Sequence, residues 1–365
     1  MVDRKRILFV APFPPPVHGS AVVSDFIRRS TVVGERFECD FVNLSTSRTN
    51  SEVGRRGIRK IVRFVSAYYA TLRHLILYRY DLCYIALTCY GKGFLKDAPF
   101  ALLCKTFGHR LVIHQHNKGM SSWSSKPFYK ILYKWVYSGS KVIILSWNLY
   151  PDIKAVVNRD QVLVCPNGID NVPVSSKQGG EVPMILFMSN LLVSKGPFVL
   201  LDACAKLKAA GVAFRCTIAG DVTPEISRES MLFEIKQRCL SGDVNYVGPC
   251  YGSGKDELLR SADIFVHPTT NDCFPLVLLE ALRSGIPIVS TREGGIPDIV
   301  RDGVNGLLCE SASADEFAHE IGRLCTDSRL RENMGVEGRA LFESNFELCA
   351  FEHRLADILQ DCIDG

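Results

Sequence analysis

The chain has 365 residues, 47% hydrophobic and 22% charged, which excludes a disordered segment and leaves room for two domains with a core each. Its net charge of +4 conceals a division: residues 1–180 hold 26 Lys+Arg against 11 Asp+Glu, whereas residues 181–365 hold 17 against 28. A basic first half calls for an anionic partner, whether a membrane face, a nucleic acid or a phosphorylated substrate.

The first half alternates short apolar runs with helical stretches. Arg6–Phe13 reads as a buried strand and Ser20–Arg29 as the helix after it. Phe37–Leu44 is the next strand, and Arg55–Tyr80 a long helical candidate. Leu82–Thr88, Arg110–His114, Lys141–Leu145 and Gln161–Cys165 follow as short strands with helical material between them. Such alternation predicts an α/β fold, a parallel sheet covered on both faces. Residues 171–183, with Pro173, Gly179, Gly180 and Pro183, read as a linker. The alternation then restarts, with strands at Met184–Met188, Phe214–Ala219, Val244–Val247, Ile264–His267 and Ile288–Ser290. Helices are expected at about 197–210, 225–239, 254–261 and 275–284, and the tail from Asp315 is helical, with an amphipathic segment near 346–361. Two such halves are expected to hold a ligand between them.

No apolar run reaches the length of a membrane span, and the opening Met1-Val2-Asp3-Arg4-Lys5-Arg6 lacks the layout of a signal peptide. Fourteen cysteines are scattered and never spaced as CxxC. They are expected as buried thiols in a reducing compartment, hence a cytoplasmic protein.

Four segments carry candidate chemistry. The first is Asn271–Ser290, NDCFPLVLLEALRSGIPIVS. Pro275 suits the first turn of a helix, where its missing N–H costs nothing. Asp272 and Phe274 then lie in the loop before a helix N-terminus, whose free N–H groups favour a phosphate or a sugar oxygen. Glu280, about a turn and a half into the helix, is placed to accept hydrogen bonds from vicinal hydroxyls such as those of a ribose. A capped core helix is the plain alternative. The second segment is Ser189–Gly196, after a strand and opening a helix. Lys195 there opposes the helix dipole, so an anion is expected to compensate it, unless the lysine is simply solvated.

The third is Ile113-His114-Gln115-His116-Asn117 at a strand end, with His116 the better functional candidate. His-x-His also suits a metal, but no third ligand lies nearby in sequence, so none is expected. The fourth is Pro14–Ser20 after the first strand, where Gly19 would admit a ligand close to the backbone. No GxGxxG fingerprint follows that strand, which counts against a nicotinamide or flavin enzyme.

Taken together and in this order, these segments resemble the retaining glycosyltransferase family 4. Its signature of an acid, x, Phe, Gly or Pro, and a Glu eight positions after the first acid stands here as Asp272, Phe274, Pro275 and Glu280. The course from Leu278 to Leu308, the run Pro166-Asn167-Gly168-Ile169-Asp170 and the run Ala219-Gly220-Asp221 look similar too. The resemblance implies a GT-B fold: two Rossmann-like parallel-sheet domains facing each other across a cleft. Their expected extents are 1–172 on the acceptor side and 181–345 for the nucleotide sugar, with the helix at about 346–365 packing back on the first. Lys195 would neutralise the departing diphosphate, and Glu280 would hold the ribose. Asp272 would contact donor-sugar hydroxyls, with the backbone N–H groups of Phe274, Leu276 and Val277 nearby. His116 would touch the donor sugar from the other domain. Gly19, Asn190 and Gly220 would line the donor site.

The donor would be a UDP- or GDP-sugar, with no further cofactor and no metal. Two departures stand out. Asp272 is shorter than the family's usual Glu, and Asn190 stands about where an Arg usually partners the Lys. The acceptor implied is a glycan or lipid-linked glycan of bacterial surface polysaccharide synthesis. A basic amphipathic stretch from Arg55 to Tyr80 adds an anionic membrane surface as an expected partner, unless its apolar face packs on the core. No recognised motif supports nucleic acid. A GT-B epimerase or phosphorylase, and a catalytically silent GT-B scaffold, are the competing classes. The donor sugar, the linkage and the oligomeric state are not written in these motifs.

Overall fold

The computed structural model describes residues 4–47, 57–172, 180 and 182–365. Most of the linker expected at 171–183, together with Arg55 and Arg56 of the basic stretch, lies outside the described residues.

The first elements are β1 (Arg6–Ala11), α1 (Gly19–Arg29), α2 (Thr31–Arg36), β2 (Glu38–Asn43), α3 (Ile58–Leu77) and β3 (Leu82–Ile85). Then come α4 (Gly91–Thr106), β4 (Leu111–Gln115), α5 (Met120–Ser124), α6 (Pro127–Tyr137), β5 (Lys141–Ile144), α7 (Tyr150–Ile153) and β6 (Val162–Val164). The second half begins with β7 (Met184–Met188), α8 (Pro197–Ala209), β8 (Arg215–Ala219), α9 (Arg228–Gln237), β9 (Val244–Gly248) and α10 (Ser253–Ser261). It continues with β10 (Ile264–His267), α11 (Leu276–Arg283), β11 (Ile288–Thr291), α12 (Ile296–Ile299), β12 (Gly306–Cys309), α13 (Ala314–Thr326) and α14 (Ser328–Asn345). The last helix is α15 (Leu348–Asp364). The chain divides into unit 1, residues 1–168 with 348–365, and unit 2, residues 169–347.

Unit 1 is built on a six-stranded parallel sheet in the order β2-β1-β3-β4-β5-β6. Strands β3 and β4 are buried along their whole length, as expected of strands covered on both faces. Leu8, Val10, Cys83 and Ile85 form one core with Phe94 of α4 and Tyr133 of α6. Helix α3 packs against α4, and α4 against α6. Helix α15 packs on α2 and β3. Arg36 pairs with Asp357 at 2.5 Å, and the Arg110 guanidinium donates to the carbonyls of Cys362 and Ile363.

The helix expected over Arg55–Tyr80 is shorter at its C-terminal end. Tyr78 is already extended, at φ −130° and ψ 149°. The Arg6 guanidinium lies 4.0 Å over the Tyr78 ring, and the Tyr80 hydroxyl donates to Asp40 at 2.8 Å. These attachments to β1 and β2 end the helix. Likewise β1 stops at Ala11, because Pro12 has no N–H to give the ladder.

Unit 2 repeats the plan with the order β12-β11-β10-β7-β8-β9, again all parallel. Strand β12 is an addition to the expected set. It has only four residues and follows a turn, so it carries little periodicity of its own. In each unit the strand order reverses at one point, between β1 and β3 and between β7 and β10. Open parallel sheets bind ligands at such points, outside the carboxyl ends of the strands.

Candidate functional site

In unit 2 the loops after β7 and β10 meet at that reversal. The chain leaves β7 and makes a 3-10 turn over Val193–Lys195. It then passes Gly196 at φ 77°, where a Cβ would stand 2.1 Å from the Pro268 carbonyl oxygen. Only glycine fits there, and the fit brings Lys195 to the loop after β10. The Lys195 ammonium donates to Asp272 Oδ2 at 2.6 Å and to the Asn271 carbonyl at 3.0 Å. The anion expected to compensate this lysine is therefore present within the protein, as Asp272.

Asp272 Oδ2 is shared with His267 Nε2 at 3.0 Å, and Oδ1 accepts the Cys273 N–H at 3.1 Å. Burial pushes the Asp272 carboxyl up, but His267 and Lys195 outweigh it and hold it well below the usual carboxylate range. The Asp272 N–H donates to Glu293 at 3.3 Å. Gly294, at φ 56°, leaves no room for a Cβ against the Asp272 carbonyl. The backbone at Asp272 is thus fixed from the β11 side as well.

Pro275 is the N-cap of α11, extended at ψ 121°, and not a first-turn residue as expected. The first helical residue is Leu276, and no side chain caps the helix. Phe274 is buried, its ring 5.8 Å from that of Phe346. Its side chain is therefore core, and only its backbone faces the loop. Glu280 Oε1 takes the Lys255 ammonium at 2.5 Å, while Oε2 is buried with no partner among the described residues. A buried acceptor without a donor is costly, and a ligand hydroxyl would satisfy it.

Asn190 is exposed in the loop after β7. Gly220 lies against it: a Cβ there would be 1.7 Å from the Ser189 carbonyl oxygen and 3.4 Å from Asn190 N. The glycine is demanded by this crossing of two loops, so the protein's own backbone explains it. Gly19 is different. It is the first residue of α1, and a Cβ there would meet nothing within 4 Å. No neighbour in the chain requires glycine at that position, and the space beside it is open.

In unit 1, the loops after β1, β2, β3 and β4 surround a cavity of about 660 Å³. His116 lines it, and its Nε2 is buried without a partner among the described residues. Its ring centre is 4.0 Å from that of His114, whose Nδ1 is 2.6 Å from the Tyr84 hydroxyl. Burial lowers both histidines; the His116 imidazole adds to the effect on His114 and the His18 imidazole to that on His116, which falls to about 3. Both rings are neutral at pH 7, and the Tyr84 hydroxyl and His114 Nδ1 share one hydrogen bond. No group of three metal-ligating side chains occurs among the described residues.

Sequence reasoning missed several of these groups. Lys255 and Glu280 are 25 residues apart in separate βα units, so spacing does not pair them. His267, the last residue of the apolar strand β10, reads as core until Asp272 folds back onto it. Of the cavity lysines, Lys60 stands in the basic stretch expected to meet a membrane, while Lys92 and Lys96 lie on α4, which carries no motif of its own.

Among curated relatives, D-inositol 3-phosphate glycosyltransferase of Corynebacterium kroppenstedtii is 29% identical over 235 residues, covering 62% of this chain and 52% of the relative. The putative colanic acid biosynthesis glycosyltransferase WcaL of Salmonella typhimurium is 31% identical, covering 51% of this chain and 47% of the relative. The chain spans about half the length of the curated relatives it matches. Among solved structures, sucrose-phosphate synthase from Thermosynechococcus elongatus superposes with a TM-score of 0.79 at 17% identity, covering 98% of this chain and 99% of that one. HepE of Anabaena, in complex with UDP-glucose, gives 0.73 at 17%, covering 98% and 99%. At such identities these structures establish the fold alone. By its two six-stranded parallel sheets the chain has the GT-B fold, and over residues 169–341, nearly all of unit 2, it matches the family glycosyl transferases group 1.

Proposed function

We propose that the protein is a glycosyltransferase: unit 2 binds a nucleoside diphosphate sugar, UDP- or GDP-linked, and the sugar passes to an acceptor hydroxyl with retention at the anomeric carbon. The observation that carries this reading is the incomplete pairing at the β7–β10 reversal. Lys195 uses two of its three N–H donors within the protein, and Glu280 keeps one buried oxygen unpartnered. A diphosphate beside Lys195 and a ribose hydroxyl on Glu280 Oε2 would complete both. The uncapped N-terminus of α11 adds free N–H groups for oxyanions. The complex of HepE with UDP-glucose supports the same class of donor.

In the reaction, the bond from the anomeric carbon to the phosphate oxygen breaks and a bond to the acceptor oxygen forms. The acceptor proton passes to the leaving phosphate. Lys195 and the α11 N-terminus stabilise the charge that builds on that phosphate. The ionised Asp272 carboxylate favours the positive charge developing on the sugar. His267 holds Asp272 in place.

The test is thermal shift against UDP, GDP and ADP. One of them is expected to raise the melting temperature by several degrees at saturation. Glu280→Ala should abolish the shift. Absence of a shift with all three would overturn the reading.

We read the acceptor as a glycan or lipid-linked glycan of a surface polysaccharide, in line with the colanic acid biosynthesis in WcaL's name. No described helix is long and apolar enough to cross a membrane. Attachment to an anionic bilayer face instead fits two helices of unit 1. On α3, Ile58, Ile61, Val62, Val65 and Tyr69 are exposed among Arg59, Lys60 and Arg63. On α6, Phe128, Ile131 and Trp135 are 64%, 55% and 62% exposed beside Lys126, Lys130 and Lys134. Neither helix contains an acidic residue. At low salt the protein should co-sediment with phosphatidylglycerol vesicles and not with phosphatidylcholine vesicles. Equal recovery in both pellets, or in neither, would sink the membrane assignment.

A further inference from the structure

We propose that Lys255 is a specificity-determining residue of the donor site: its ammonium donates to one hydroxyl of the donor's ribose, while Glu280, its ion-pair partner, accepts from the neighbouring one. The inference rests on the reading of unit 2 as the nucleoside diphosphate site and adds to it a residue that no motif announces.

Lys255 stands in the first turn of α10, where its N–H donates to the Gly252 carbonyl at 3.0 Å. A cation is disfavoured there, because the free N–H groups of the helix start already carry partial positive charge. Helix stability therefore does not explain a lysine at this position. Its one partner among the described residues is Glu280, in the second turn of α11, with Nζ 2.5 Å from Oε1. The two helices follow β9 and β10, which are not neighbours: β7 and β8 lie between them in the sheet. The pair draws together two βα connections at the end of the sheet that also carries Lys195.

An ion pair that merely stapled two helices would be finished by that contact. This one is not. The Lys255 and Glu280 side chains keep 26% and 14% of their exposure, so the pair is largely withdrawn from water. Yet Glu280 Oε2 is buried without a partner, and the ammonium has two N–H donors left after Oε1. A carboxylate oxygen left in that state is costly. The ground beside Lys255 is open: a Cβ on Gly252 or on Gly254 would meet nothing within 4 Å.

A carboxylate only accepts and an ammonium only donates, whereas a hydroxyl does both. Glu280 alone would take any hydroxyl. The pair asks for two side by side, one that donates to Oε2 and one whose oxygen accepts from Lys255. A vicinal diol meets both demands, and in a nucleoside diphosphate held by Lys195 the ribose supplies it. The two hydroxyls are then not equivalent to the protein, because one answers to Glu280 and the other to Lys255. Charge-assisted bonds of this kind reject an analogue that lacks the hydroxyl.

The experiment is calorimetric titration of the full chain with UDP, GDP and ADP, and then with the 2′-deoxy and 3′-deoxy forms of whichever binds. In the wild type each deoxy form should bind about tenfold or more weakly than its parent. In Lys255→Met one of the two deficits should shrink to within about threefold, and the other should persist. A lysine that only tied α10 to α11 would weaken parent and analogues alike and leave both ratios unchanged. A second measurement needs no variant. Acetylation of the wild type with acetic anhydride, read by mass spectrometry, should be slowed at Lys255 by the saturating parent nucleotide. The analogue lacking the hydroxyl that Lys255 reads should give no such protection, and the other analogue should.

The inference is overturned if both deficits survive in Lys255→Met, if both vanish together, or if the wild type is indifferent to either hydroxyl. Equal protection of Lys255 by the parent and both analogues, or by none of them, overturns it as well. Each of these outcomes leaves nucleotide binding, and with it the donor reading, in place. Failure of every nucleotide to bind the wild type would instead remove the donor reading, and this inference with it.

Discussion

Lys195→Ala is expected to lower kcat/KM by about 10²–10³-fold, mostly in kcat, as for loss of one preorganised donor to developing negative charge. The lysine is held on both sides before any donor arrives. Gly196 admits the close approach to Pro268, and Asp272 and the Asn271 carbonyl fix the ammonium. It therefore needs little reorganisation at the moment the phosphate departs. Stability should change far less than activity. The Lys195 and Asp272 side chains keep 19% and 16% of their exposure, and a partly solvated pair contributes on the order of 1 kcal/mol. Steady-state kinetics and urea unfolding on the same preparation separate the two effects. An activity loss no larger than the stability loss explains would remove Lys195 from the chemistry. The Lys195→Ala and Asp272→Asn losses should also fall short of additivity in the double variant, because each removes part of one unit.

Folding stability is expected to fall as the pH drops below about 6.5, the ordinary range of histidine. His114 and His116 are both lowered, chiefly by burial, so the folded chain keeps them neutral. Between the unfolded value and the folded one, about 3 for His116, the unfolded chain binds protons that the folded chain does not. Stability then rises with pH, by up to about 1.4 kcal/mol per pH unit for each histidine. Above pH 7 neither contributes a slope. Asp272 acts in the same direction but lower: its stabilisation is present above the ordinary carboxylate range and is lost as the pH falls below it. Urea unfolding at pH 7.5, 6.5 and 5.5 measures the slope, and His116→Gln should flatten it. An unchanged slope in that variant would show that His116 is not kept neutral by the fold.

The alternation of apolar strands and helices was enough to predict the α/β class, because strands buried on both faces are continuous apolar runs. Strands such as β7 and β10 stand at their expected bounds for that reason. Element ends were less legible. Arg6 and Asp40 end α3, and nothing near Tyr78 announces them. At the site, the Asp272–Glu280 segment was legible because strand, loop and helix start follow one another in sequence. The partners of its acids were not. Lys255 reaches Glu280 from the preceding βα unit, and His267 reaches Asp272 only because the loop doubles back. The cavity of unit 1 was the least visible feature. Its wall is gathered from the ends of four strands and from α3 and α4, and only His116, the loop near Gly19 and the basic stretch around Lys60 drew attention in advance.

Unit 1 is made of two stretches of chain, 1–168 and 348–365, with the whole of unit 2 between them. This imposes an order on biosynthesis. When the first 168 residues have left the ribosome, the surfaces of α2 and β3 that α15 covers are still bare, and Arg110 has yet to meet the carbonyls of Cys362 and Ile363. Translation at about 5–20 residues per second then takes ten seconds or more to deliver that helix. Unit 2 is continuous and needs no such wait. The half of the protein made first is therefore the half completed last, and its exposed face during that interval is where chaperones would be most needed.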